Sequence, residues 1–199
     1  MRKGKLLLAG VIAGALLVSG VALAWSADKI DREVIKAIEV FKDEVNGSEV
    51  FLAQAVGYLV FPRVYKAGFV FGAETGEGAL IVAGNTIDYY RTSAGSFGLQ
   101  AGAQAKSVVI AFMTEDSLTK FRNSTGWKVG VDGSIALVDV GVGKTIDTNN
   151  IKDPVVGFIY GSKGLMYNLT FEGSKFSKLD KSEDAKSTDD KSTDDKSTD

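Results

Sequence analysis

Ala79-Leu80-Ile81-Val82-Ala83-Gly84-Asn85-Thr86-Ile87-Asp88-Tyr89-Tyr90-Arg91 sets two short apolar runs on either side of a Gly84-Asn85 turn. Two such runs around a turn pair are the pattern of a β-hairpin. The same texture spreads in both directions. Upstream, Tyr58-Leu59-Val60-Phe61 stops at Pro62, and Gly68-Phe69-Val70-Phe71-Gly72-Ala73-Glu74 alternates large and small residues. Downstream, Ser96-Phe97-Gly98-Leu99-Gln100-Ala101-Gly102-Ala103-Gln104 repeats with period two, and residues 108–113 are an apolar run rich in β-branched side chains. Further candidate strands cover 127–131, 134–140, 155–160 and 165–172. About nine short strands with few long connections predict a mostly antiparallel sheet. Glycine inside many of them signals bulges, bends or close backbone approach. A sheet of this length curls or closes to protect its edges.

Helices precede the strands. Ile30, Val34, Ala37, Ile38, Phe41 and Val45 recur at steps of three and four, so residues 28–45 form a helix with one apolar face. Asp28 stands at the expected N-cap, and Asn46-Gly47-Ser48 ends the helix. A shorter helix is expected over 49–55, and another over 117–122 with Leu118 and Phe121 inward. The fold class is therefore α+β: N-terminal helices packed on a curled, barrel-like, glycine-rich sheet, with one further short helix.

The chain opens Met1-Arg2-Lys3-Gly4-Lys5 and then runs apolar from 6 to 24, the three-part pattern of a secretory signal. Ala22 and Ala24 supply the small residues for cleavage before Trp25. Ala24 and Ser26 offer a second register, before Ala27. Retention as an anchor is the alternative, since about 20 apolar residues span a bilayer, although Gly10, Gly14, Ser19 and Gly20 dilute the run. The expected organisation is a signal at 1–24, one domain at 25–180 and a charged tail at 181–199. That tail repeats Lys-Ser-Thr-Asp-Asp with nothing apolar beyond one Ala, so it cannot offset its ordering entropy. The expected location is the periplasm or the periplasmic face of the envelope membranes.

The chain has no histidine and no cysteine. Acyl-cysteine anchoring, disulfides, thiolate metal sites and nucleophiles paired with His are thereby excluded. No cofactor or metal is expected. Charge is nearly balanced in the domain, which lacks the basic footprint of a nucleic-acid binder. Gly141-Val142-Gly143-Lys144-Thr145 imitates the end of a phosphate-binding loop, but Val138 stands where its first glycine is required. Glu74 and Glu77 flank a glycine-rich turn, and only a shared cleft would make them a hydrolytic pair. Lys29, Arg32 and Lys36 share a stripe of the first helix, while Arg63 and Lys66 flank Tyr65 in an expected loop. Cations interleaved with aromatics suit anionic lipid headgroups.

The run from Val60-Phe61-Pro62-Arg63-Val64-Tyr65-Lys66-Ala67-Gly68-Phe69 through Gly72-Ala73-Glu74-Thr75-Gly76-Glu77-Gly78 resembles the opening signature of the SYLF lipid-binding domain family. The Ser96–Gln104 stretch, Lys163-Gly164-Leu165 and Phe171-Glu172-Gly173 resemble its later motifs in order. The resemblance spans residues 56–176 and is to the family's exported bacterial branch. It implies a phospholipid-binding domain without known catalysis. Eukaryotic relatives bind phosphoinositides, and some bind or bundle actin; an exported relative meets neither ligand. The tryptophan-containing segment common before the Ser-Phe-Gly-Leu-Gln stretch is replaced by Asp88-Tyr89-Tyr90-Arg91-Thr92-Ser93. The expectation is a membrane-associated protein that meets anionic phospholipid through Lys29, Arg32, Lys36, Arg63 and Lys66. The rival is a periplasmic structural or protein-interaction module, with lipid binding incidental.

Overall fold

The computed structural model describes residues 24–68, 71–97, 102–139, 146, 152–163, 171 and 173–181. The leader before residue 24, the Gly141–Thr145 motif, most of the expected 165–172 strand and the repeat tail lie outside these residues.

Helix α1 (Ala27–Glu44) buries Ile30, Val34, Ala37 and Phe41, the apolar stripe of its sequence. Its N-cap is Ser26, not Asp28: Ser26 is extended, and its Oγ accepts the Lys29 backbone N–H at 3.4 Å. Asp28 instead occupies the first turn, where a carboxylate complements the positive end of the helix dipole. Helix α2 (Ser48–Gln54) starts from Gly47, which is left-handed at φ 82°, and buries Phe51 and Leu52. The third helix, α3 (Glu115–Asn123), is capped by Thr114 and buries Leu118 and Phe121.

Eight described strands form one sheet: β1 (Gly57–Gly68), β2 (Phe71–Val82), β3 (Asn85–Phe97), β4 (Gly102–Phe112), β5 (Trp127–Lys128), β6 (Ala136–Asp139), β7 (Val155–Lys163) and β8 (Lys175–Leu179). Their spatial order is β5-β8-β3-β2-β1-β4-β7-β6, antiparallel throughout except for the parallel β6–β7 edge. The sheet curls into a half-barrel, as the α+β reading expects. The four central strands are longer than the sequence punctuation suggests, because Pro62 and the glycines interrupt the pattern without ending the strands. Two residues of β1, Phe61 and Pro62, stand opposite the single Gly78 of β2. This bulge lets a central strand hold a proline, which has no N–H for the ladder. The freed Pro62 carbonyl accepts the Ser107 hydroxyl at 2.9 Å.

The opening hairpin is real, with its turn one residue earlier than expected. Val82 pairs with Asn85, leaving Ala83 and Gly84 as the loop, at φ 50° and 78°. Positive φ at both positions matches the right-handed strand twist. The 96–104 segment is not one strand: its start ends β3 and its end begins β4. Strand β8 has no counterpart among the expected strands.

Core residues line both faces of the sheet. On one, Val60, Ala79, Ile81, Val109, Val156, Phe158 and Tyr160 pack against α1 and α2. There Phe41 meets the rings of Phe158 and Tyr160, and the Tyr160 hydroxyl donates to the Ala37 carbonyl at 2.7 Å. On the other face, Phe61, Phe112, Phe121, Trp127 and Phe176 make a second aromatic cluster with α3. Burial on both faces explains why 59–61, 79–81 and 108–112 are apolar at every position, whereas a strand with one wet face alternates.

Candidate functional site

The spacing of Lys29, Arg32 and Lys36 places them on the side of α1 away from its buried stripe, and all three are exposed. Ile35 lies among them and is 58% exposed. Farther along the same outward side come Glu39 and Asp43, so the helix presents cations first and acids later. Two other acids of α1 are engaged. Asp31 accepts the Thr86 hydroxyl at 2.9 Å and the Tyr89 hydroxyl at 2.8 Å, joining the helix to β3. Glu33 accepts Lys36 Nζ at 2.9 Å and stands 3.6 Å from the Arg63 guanidinium. The hydrogen bond from Lys36, with the positive charges nearby, holds the Glu33 carboxyl below its ordinary range. Glu33 thus gathers Lys36 and Arg63 at one place while cancelling part of their charge.

Between α1 and the sheet lies an open groove of about 410 Å³, lined by Glu33, Lys36, Val40, Pro62, Arg63 and Gly161 among others. Arg63 also lines a smaller recess of about 210 Å³ with Trp25, Tyr65, Thr75, Glu77 and Arg91. Bulging at Pro62 puts Arg63 on the helix side of β1.

Lys66 does not join this group. The expected loop around Arg63 and Lys66 is part of β1, and residues three apart on a strand point to opposite faces. Lys66 lies across from Glu74 and Gln104, on the face away from α1. There Glu74 pairs with Lys106 at 3.0 Å, and the Lys106 side chain is only 4% exposed. The same alternation separates Glu74 from Glu77, which faces α1 and binds Arg91 at 2.6 Å. The two glutamates therefore do not converge on one ligand.

Sequence reasoning missed the cluster around Glu77. Its other oxygen accepts the Trp25 backbone N–H at 2.9 Å, and Lys181 Nζ donates to the Trp25 carbonyl at 2.6 Å. Lys29 Nζ sits 4.6 Å from the Trp25 ring. The Glu77–Arg91 pair is a cross-strand neighbour in the β2–β3 register, legible only once that register is known.

These elements define an α+β domain whose doubly covered, curled sheet presents a helix-and-strand face of mixed charge. The family model described as Ysc84, Las17-binding protein actin regulator, matches residues 93–187, from within β3 past β8. Over that stretch the chain is similar to this family, the SYLF family whose motifs it resembles. No curated protein matches the chain. Among the described residues, no helix is long and apolar enough to cross a membrane.

Proposed function

We propose that this protein is an exported, non-catalytic phospholipid-binding protein that associates with anionic membrane surfaces of the cell envelope. The observation that carries the reading is the cationic first half of the α1 outer side. Lys29, Arg32 and Lys36 surround exposed Ile35, with Arg63 beside them across Glu33. The family match supports binding of lipid or an actin-related partner as the general activity. Adsorption is reversible and electrostatic, each basic side chain near an anionic surface contributing about 1 kcal/mol. Lys66, on the other face, contributes little.

Co-sedimentation with phosphatidylglycerol vesicles at low salt should exceed that with phosphatidylcholine, and should fall as salt shortens the screening length. Replacing Lys29, Arg32 and Lys36 together by Glu should abolish the difference, whereas Lys66→Glu should leave it. Absence of binding to either vesicle at low salt defeats the proposal.

A protein-interaction role is the second reading, favoured by Glu39 and Asp43 on the same outward side, which repel an anionic surface. It predicts a crosslinked protein partner whose capture is insensitive to lipid.

A further inference from the structure

We propose that the mature chain begins at Trp25, and that the α-amino group freed there is seated on the Glu77 carboxylate. This rests on the export reading above. The peptide unit at Trp25 is held at both ends by side chains distant in sequence: its N–H by Glu77, 52 positions away, and its carbonyl by Lys181, 156 positions away. Both side chains are largely buried, Glu77 at 11% and Lys181 at 8% exposed. Ala24, on the other side of the bond, is exposed. A linker between a leader and a domain has no need of such anchoring. Cutting the Ala24–Trp25 bond leaves the nitrogen where it stands and turns one amide donor into an amino group, 2.9 Å from a carboxylate.

The competing cut, before Ala27, removes working parts. It deletes the Ser26 cap, whose Oγ and carbonyl accept the N–H groups of Lys29 and Ile30. It also deletes the Trp25 ring that lines the recess beside Arg63 and carries Lys29 over its face. Other charges face the seat. Arg91 comes from β3, Lys181 follows β8, Lys29 comes from α1 and Arg63 from β1. Glu77 is the acid that bonds the Trp25 nitrogen among these cations.

The full chain with its own leader is expressed in a bacterium, the cells are fractionated, and the exported protein is weighed intact by mass spectrometry. A mass beginning at Trp25 is expected. An exported protein beginning at Ala27, or retaining its leader, overturns this inference and leaves export standing. Uncut protein confined to the cytoplasm overturns export and the inference with it.

A second measurement isolates the seat. Glu77→Gln is made in the processed protein and in one with Gly-Ser inserted between Ala24 and Trp25, which moves the amino group away. Both lose the Arg91 pairing, so the difference reports the amino group alone. In urea unfolding, the substitution should lower the folding constant about threefold to fivefold more in the uninserted protein. Equal losses overturn the seating.

Discussion

Gly78→Ala tests the bulge on which the central strands depend. Phe61 and Pro62 of β1 share Gly78 as their one opposite residue, and the crowding is severe. A Cβ at Gly78 would lie 2.0 Å from the Val60 carbonyl oxygen and 2.8 Å from Phe61 Cδ1. The first of these is backbone, and Leu59, Val60 and Phe61 are fully buried, so no rotamer change relieves the contact. Overpacking of a core typically costs about 1–3 kcal/mol, and a clash with a central ladder belongs at the upper end, about 3 kcal/mol. For a domain of this size each kcal/mol lowers Tm by about 2–4 °C, so a fall of about 6–12 °C is expected. Gly95→Ala in β3 is the matched control, because its Cβ would meet nothing within 4 Å. It should leave stability within about 0.5 kcal/mol, or raise it slightly by restricting the unfolded chain. Urea and thermal unfolding followed by circular dichroism read both variants. A Gly78→Ala protein as stable as Gly95→Ala would refute the reasoning, since the strand would then have room that the bulge denies it.

Tyr160→Phe keeps the ring contact with Phe41 and removes the hydroxyl that donates to the Ala37 carbonyl and meets the Ser107 side chain; urea unfolding should show a loss of about 1 kcal/mol. Tyr90→Phe should not destabilise, because the buried Tyr90 hydroxyl has no hydrogen-bond partner among the described residues. Burial, and then the Asp88 charge, push that hydroxyl up to about 12; an unfolded tyrosine ionises near 10, so stability is full below pH 10 and drains as pH rises towards 12. Tyr90→Phe should make this alkaline loss shallower, with Tyr58 and Tyr160, also raised by burial, keeping the remainder. Lys106→Met strands the Glu74 carboxylate in a largely buried place and should cost about 3 kcal/mol in the same assay, most of it recovered by adding Glu74→Leu.

The helical stripe of α1 was legible because its signal is local: four buried residues at three- and four-residue steps state both the element and its inner face. By subtraction they also state that Lys29, Arg32 and Lys36 look outward. Strand count was less legible. Pro62, Gly76 and Gly78 read as punctuation, yet they are the residues that let β1 and β2 pass close to one another through the bulge. Strand β8 has one deeply buried residue, Phe176, in Lys175-Phe176-Ser177-Lys178-Leu179, and no local pattern marks so short a strand. The site was half legible for the same reason. Arg63 and Lys66 look like partners around Tyr65 in a loop, whereas strand alternation sends them to opposite faces. The bond from Glu77 to Trp25 depends on a contact between distant residues that no local pattern encodes.

The way α1 is held limits how this face can meet a membrane. Its inner side buries Ile30, Val34, Ala37 and Phe41 to 7% exposure or less, and full burial of a large apolar side chain contributes about 1.5–3 kcal/mol. Releasing the helix to turn that side towards lipid would forfeit most of this, together with the bonds from Tyr160 to Ala37 and from Thr86 and Tyr89 to Asp31. On the two helices the apolar surface already outside is small, Ile35 with Val40 on α1 and Val50 on α2. Insertion by unrolling is therefore uphill, and a docked helix has charge as its main means of attachment. Glu33, Glu39 and Asp43 oppose that charge along the same helix, so the attraction is concentrated in its first half. This is the end next to Trp25. A chain cut before Trp25 carries its new amino group into that cationic end, whereas a retained leader would keep the same end beside the bilayer whatever the affinity of the face.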